Sequence, residues 1–472
     1  VKRFTAACLV LALWPGAVVA QDAYRPAIPL TSQATSPLDG TALQPLVRLG
    51  QDLLDDGVLL RLRTVDSIAG NPSGGISQGA DANGVVIFGA DFDLNRIAGL
   101  TGTLVHASFA QLYGHDLATD HIGDRTKVQT DYYPYKQFEL SELTVEQSLF
   151  NDRLNVLVGR ANATGEFARD TYGCRFEGVA DCPFELTQLV GAFPGFPYVN
   201  WGGRVRVRLD GAVSIKAGAY ELNSDRNRNQ GFDWNLNDST GFVSPVELAY
   251  ETTFATDPMP RHYKLGFWYN SAAYSDPYLN TKGTSRGQFG GAALTYPGGR
   301  GGWYAIGDQV IWRHDDPVVK GASERGIALF ATAGAPFDRA ETFVFQGTAG
   351  AVWTGPFDAR PADSINAIGS FLRLSDKEVG YLNALLTKAH SDSFISHAEF
   401  VFEVNYAVQA VPGVIIQPAV QYLVNPDDIN RSSSAKFAPK DALVLGVKFT
   451  FNAGVLLGLP QQLPAYSRSG GL

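Results

Sequence analysis

Between Ser396 and Val408 the chain alternates apolar with polar side chains. Phe400, Phe402, Val404 and Tyr406 fall on one parity; Glu399, Glu403 and Asn405 fall on the other. A period of two sends successive side chains to opposite faces of an extended strand. In Asp441–Phe451, Leu443, Leu445, Val447, Phe449 and Phe451 share one face, with Ala442, Val444, Gly446, Lys448 and Thr450 on the other. In Val199–Leu209, Val205, Val207 and Leu209 alternate with Arg204, Arg206 and Arg208. Sixteen such segments can be read along the chain: Val58–Ser67, Ala82–Leu94, Leu100–Leu112, Phe138–Phe150, Arg153–Asn162, Val199–Leu209, Ala212–Asn223, Phe242–Phe254, His262–Ala272, Gly301–Arg313, Ser323–Gly334, Val344–Thr354, Ser364–Leu374, Ser396–Val408, Gly413–Val424 and Asp441–Phe451. About ten tilted residues cross a bilayer as a strand. The predicted fold is all-β: a transmembrane antiparallel β-barrel of 16 strands, apolar outside and polar within.

The connectors support this. Asn151-Asp152, Asp210-Gly211 and the turn at Pro412 are short, and Asp-Gly is a strong hairpin signal. Gly114–Gln137, Ala163–Tyr198, Ser224–Gly241, Ser275–Arg300, Asp376–Ile395 and Asn425–Lys440 are long. Short periplasmic turns opposite long extracellular loops mark an outer-membrane barrel. Two stretches have helical spacing instead: Leu46–Asp55, ending at Gly57, and Lys377–Ala389 inside its long connector.

Composition adds little until the charge is considered. Charged residues are 18% of the chain, below the soluble norm of roughly 25%, while hydrophobic content is an ordinary 45%. Strands that are apolar on one side only give that average. The Gly count of 50 and the 11% aromatic content suit tight turns and interfacial girdles. Lys2 and Arg3, the apolar stretch Ala6–Trp14 and the small residues of Ala17–Ala20 form a secretory signal peptide expected to be cleaved after Ala20. The expected organisation is therefore signal peptide 1–20, a lead-in with a short helix 21–57, barrel 58–451 and a tail 452–472 after Phe451. No apolar run of about 18 residues follows the leader. The net charge of −9, which loss of Lys2 and Arg3 makes more acidic, argues against nucleic acid as a partner. Cys8 leaves with the leader, so Cys174 and Cys182 are expected to form a disulfide that staples a long loop.

Collected on the inward parity, the candidate pore-lining and sugar-binding residues are Arg61, Arg63, Glu142, Glu146, Arg204, Arg206, Arg208, Glu247, Glu251, Glu399, Glu403 and Gln417, with Gln421 beside the last. Arg and carboxylate rows supply planar donor and acceptor forks, which can replace the water around a polyol's hydroxyls. Trp201, Trp303 and Trp312 are candidates for apolar contact with sugar ring faces. A wall of mixed sign selects weakly by charge and suits a neutral solute. For any one of these charges, solvation and mutual pairing in a wet interior is the competing explanation.

Enzymatic readings find less support. Glu399 and Glu403, four apart on one strand, are about 13 Å apart by strand rise, too far for either glycosidase geometry. His115, His262, His390 and His397 are scattered without metal-ligand spacing, and P-loop and Cys/His signatures are absent. His106-Ala107-Ser108 offers lipase residue types with no further support.

Three blocks carry a family resemblance: Tyr304…Gly307-Asp308-Gln309…Trp312 with Arg325–Phe330; Gly347-Thr348-Ala349-Gly350…Gly355-Pro356-Phe357…Arg360-Pro361-Ala362-Asp363; and Glu403-Val404-Asn405-Tyr406…Gln409…Pro412-Gly413-Val414…Gln417-Pro418-Ala419-Val420-Gln421-Tyr422…Asn425-Pro426. Glu142–Gln147, and Trp201-Gly202 leading into Gly218-Ala219-Tyr220, are also similar. From roughly Leu46 to Phe451 the chain resembles the carbohydrate-selective outer-membrane porins of the OprB type. The resemblance implies a sixteen-stranded barrel through which sugars diffuse, narrowed by infolded loops and by a constriction bearing Arg and Glu. Three departures stand out, one being that more residues follow Phe451, the aromatic suited to end the last strand. The region Leu49–Gly57 lacks the family's Trp-Gly-Gly element, and Leu143-Thr144-Val145 lacks a Trp often found there.

The expected function is a passive outer-membrane channel carrying carbohydrates, glucose-like sugars first, into the periplasm, with no catalysis and no cofactor or metal. The expected partners are a mono- or oligosaccharide solute, outer-membrane lipid and the barrel-assembly machinery, in a monomer or trimer. The alternatives are a less selective porin for small polar solutes and a secreted or periplasmic β-rich carbohydrate-binding protein.

Overall fold

The computed structural model describes residues 36–129, 137–178, 184–223, 230–315, 324–338, 340–427, 437–461 and 463. The expected leader, Cys182 and the last residues of the tail lie outside them.

Eighteen strands follow in chain order: β1 (Val58–Gly75), β2 (Ala80–Asp93), β3 (Thr103–Gly114), β4 (Phe138–Leu149), β5 (Leu154–Ala161), β6 (Asn200–Arg208), β7 (Val213–Asn223), β8 (Ser239–Glu251), β9 (Arg261–Asn270), β10 (Tyr274–Asn280), β11 (Ala293–Tyr296), β12 (Arg300–Arg313), β13 (Gly326–Pro336), β14 (Phe343–Thr354), β15 (Ser364–Leu374), β16 (Ala398–Val411), β17 (Val414–Val424) and β18 (Lys440–Asn452). All but β10 and β11 form one closed antiparallel barrel, so sixteen strands surround the lumen. Closure is made by β1 on β18, with Ile68 opposite Val447 and Ala69 opposite Gly446. A closed sheet satisfies every ladder group internally, which the hydrocarbon of a bilayer demands.

Each expected segment overlaps one barrel strand, and the parity assignment holds. On β16, Phe402 and Val404 are 48% and 56% exposed, whereas Glu403 and Asn405 are each 2% exposed. Leu445, Phe449, Val205 and Val207 are exposed on the same outer surface. This outer face is the lipid-facing band. Strand β1 extends eight residues beyond Ser67, because Gly70–Gly75, which reads as a turn, keeps pairing with β18 through bulges. The small hairpin β10–β11 lies inside the 271–299 connector and gives no clear periodic signal.

Long connectors lie mainly on one rim, which we call the outer rim: 115–137, 162–199, 224–238, 271–299, 375–397 and 425–439. Connectors 76–79 and 337–342 on that rim are short, and 314–325 on the opposite rim is longer than a hairpin turn. The two helical readings are met by Gln44–Asp55 and Asp376–Lys388. At the short-turn rim, Gln44–Asp55 packs on the chain that follows β18: Leu54, Leu59, Leu104, Leu459 and Leu463 form one apolar cluster. Ser36 donates to the Leu456 carbonyl at 2.7 Å, so the lead-in and the tail close this rim together.

The three tryptophans expected at the inner wall require correction. Trp201 has the parity of Val205 and packs edge-on against Trp234, with ring centres 5.5 Å apart. Trp303 alternates with the fully buried, inward Tyr304, and Trp312 is exposed beside His314. Strand parity turns Trp201 and Trp303 outward, and the bulge between Val310 and Trp312 turns Trp312 out as well, onto the face where amphipathic rings are favoured at the bilayer interface.

Candidate functional site

The 162–199 segment, joining β5 to β6, folds into the barrel. Asn162 starts it by accepting the Gly165 N–H at 2.7 Å, which turns the chain inward. Its apolar side chains then find a core inside the lumen. Phe167, Phe184, Leu186, Val190 and Phe193 pack with inward strand residues including Tyr220, Trp268, Tyr304 and Phe343. Phe176 packs with Phe330 and Val352. Glycines on the wall make room. A Cβ at Gly218 would lie 2.8 Å from the Phe167 ring, and one at Gly446 would lie 3.3 Å from the Glu177 carboxyl carbon.

Polar wall residues hold the backbone of this segment at successive points. Lys216 donates to the Glu166 carbonyl at 2.5 Å and pairs with Glu247 at 2.7 Å. Glu247 accepts the Ala168 N–H at 3.1 Å and the Tyr304 hydroxyl at 2.8 Å. Lys264 donates to the Arg169 carbonyl at 3.0 Å and pairs with Glu251 at 3.1 Å. Thr171 donates to Asp308 at 2.8 Å, and Asp308 also holds His262 at 2.7 Å. Gln417 and Asn405 donate to the Arg175 carbonyl at 2.8 and 3.1 Å. Glu403 accepts the N–H groups of Glu177 and Gly178 at 2.8 and 2.9 Å. Ser67 donates to Glu177, and Lys448 donates to the Phe176 carbonyl. These contacts carry the segment along β7–β9, β12 and β16–β18 and on to β1. A second connector comes inward nearby, where Gln421 donates to the Val128 carbonyl at 2.8 Å.

On the neighbouring wall, charges of both signs link into a chain. Arg61 pairs with Asp91 at 2.9 Å and stands 3.7 Å from Glu142. Asp91 holds His106 Nδ1 at 2.6 Å, and His106 Nε2 lies 3.2 Å from Glu146. Glu146 accepts from Arg204 at 2.9 Å, and Arg204 Nε reaches Glu166 of the infolded segment at 2.7 Å. Asn155 accepts from the same guanidinium. This ladder runs from β1 through β2, β3, β4 and β6 to the inner segment. Nearer the short-turn rim, Arg206 and Arg208 both pair with Asp152, at 2.8 and 2.7 Å.

The residues read from the sequence therefore divide into groups. Arg61, Glu142, Glu146 and Arg204 meet in the ladder, with the half-buried Arg63 two residues along on the same face. Glu247, Glu403 and Gln417 anchor the infolded segment directly, and Glu251 acts on it through Lys264. Glu399 stands apart from both, in a buried carboxylate group with Asp124 and Asp427. Cys174 is disulfide-bonded. Asp91, Asp152, Glu166 and Lys216 were not singled out from the sequence, and His106 was noted only beside Ser108, although Asp91 and His106 each sit on an inward parity. Burial lifts the Asp170 carboxyl of the inner segment to about 7, with the nearby Asp308 adding to it and the Tyr172 N–H opposing it.

The infolded segment and the paired charges narrow the barrel interior and leave its wall water-compatible. Comparison with known proteins agrees. Porin B of Pseudomonas aeruginosa is 26% identical over 416 residues, covering 84% of this chain and 88% of that protein. Putative porin QuiX of Acinetobacter baylyi is 25% identical over 426 residues, covering 85% and 90%. The high-pH structure of Pseudomonas putida OprB shares the fold, with a TM-score of 0.76 and 24% identity over 85% of this chain and 96% of that one. Residues 77–452 match the carbohydrate-selective porin, OprB family, and with so much of its length matched, the chain belongs to that family of outer-membrane channels.

Proposed function

We propose that the barrel lets small neutral sugars, glucose-like ones first, diffuse passively into the periplasm, with the charged ladder and the infolded segment setting what passes. The observation that carries this reading is the continuous chain Arg61–Asp91–His106–Glu146–Arg204–Glu166. Its charges are of both signs and mutually paired, so it presents little net field to draw in an ion of either sign. It nonetheless concentrates forked donors and acceptors, to which a polyol can transfer its hydrogen bonds from water at small cost.

Liposome swelling with the purified protein tests this. Neutral hexoses should enter faster than charged amino acids of comparable size. Equal rates for both would favour the less selective channel for small polar solutes.

A further inference from the structure

We propose that Asp124, Glu399 and Asp427 form a calcium-binding site near the outer rim that fastens two connectors to the barrel wall. Asp124 belongs to the 115–137 connector, Asp427 to the 425–439 connector, and Glu399 is the second residue of β16. All three are fully buried, and one carboxylate oxygen from each lies within 4.8 Å of the others. Neither oxygen of Glu399 has a hydrogen-bond partner within 3.5 Å among the described residues, the Thr126 hydroxyl being the side-chain donor that acts on it.

Asp124 accepts the Thr126 N–H at 3.1 Å, and Asp427 accepts the Arg125 N–H at 3.2 Å, which fixes two of the three carboxylates. Glu185, on the short helix of the infolded segment, adds a fourth acid, with Arg125 and Lys127 as the cations acting on it. Buried carboxylates this close must bind either protons or a cation. The donor set is all oxygen, which selects a hard cation. Two oxygens on opposite sides of one calcium ion stand about 4.6–5.2 Å apart, given Ca–O distances of about 2.3–2.6 Å. The spread of the three oxygens fits within that span, and Glu399 can offer both of its oxygens. Magnesium, with shorter bonds and stricter octahedral geometry, fits less well. A bound ion would join segments more than 300 residues apart in sequence beside Glu185, and so stiffen the part of the molecule that narrows the channel.

The test uses the full chain, purified in detergent free of lipopolysaccharide and treated with EGTA. Calcium chloride is added in a calorimetric titration, and the temperature of the heat-modification transition is followed on gels. The wild type should bind one calcium ion per chain and gain several degrees, with magnesium chloride giving far less. Glu399→Gln should lose both the binding and the gain. Its EGTA midpoint should equal or exceed that of the wild type, because a buried negative charge has been removed. Asp427→Asn should behave alike and decides the matter if Glu399→Gln fails to fold. Absence of calcium binding by the wild type overturns the proposal. Undiminished binding by Glu399→Gln also overturns it, and points to the more exposed group Asp81, His115 and Asp120.

Discussion

The Glu403 carboxylate accepts the backbone N–H of Glu177 at 2.8 Å, joining positions 226 residues apart. A strand of the barrel wall thereby clasps the far end of the inner segment with a charged acceptor. Hydrogen bonds to charged groups contribute about 1.5–3 kcal/mol each. Replacing Glu403 by Ala should free this end, giving larger and noisier single-channel conductance while the barrel still folds. Glu403→Gln, which keeps an acceptor, should fall between. Wild-type conductance in the alanine variant would mean that the clasp does not position the segment.

Arg204 and Arg206 lie two residues apart on one face yet should respond differently to loss. Arg204 is buried between Glu146 and Glu166, so Arg204→Ala removes the guanidinium that both carboxylates share, a loss of about 3–5 kcal/mol. Lys cannot restore the forked geometry. The heat-modification temperature should drop in both variants. Arg206 is partly exposed and pairs with Asp152, so Arg206→Ala should fold normally and alter sugar flux in reconstituted bilayers. Unchanged flux would remove Arg206 from the selective part of the channel.

Val447 lies opposite Ile68 at the barrel seam, on the outward parity. An Arg there would meet hydrocarbon at about 2–4 kcal/mol near the midplane. Val447→Arg should reduce the folded, heat-modifiable fraction recovered from outer membranes. Normal insertion would show that the seam register is shifted by one residue.

The raised Asp170 carboxyl has a consequence for stability. In the folded chain it holds its proton up to about pH 7, above its ordinary 3.8. Between those values the native state binds more protons than the unfolded state, so stability falls as pH rises through that window. The heat-modification temperature should decline from about pH 4 to pH 7, and Asp170→Asn should flatten the decline. A curve of the same slope in that variant would assign the pH dependence to other groups.

The sequence by itself determined the barrel. In hydrocarbon every backbone group must be paired within the sheet and every second side chain must be apolar, so strand number and facing are written locally as a period of two. That is why Phe402 and Glu403 could be assigned to opposite faces from their neighbours alone, and why Trp201, read from its type and against its parity, was misplaced. The Gln44–Asp55 and Asp376–Lys388 helices were legible for the same reason, with a different period. Tertiary structure alone decided the course of the inner segment and the partners of each charge. Glu177 meets Glu403, and Glu166 meets Arg204, through contacts between distant parts of the chain that carry no periodicity and depend on which wall glycines leave room. Local pattern specifies which side of the sheet a residue occupies; only closure of the cylinder brings particular residues together across its interior.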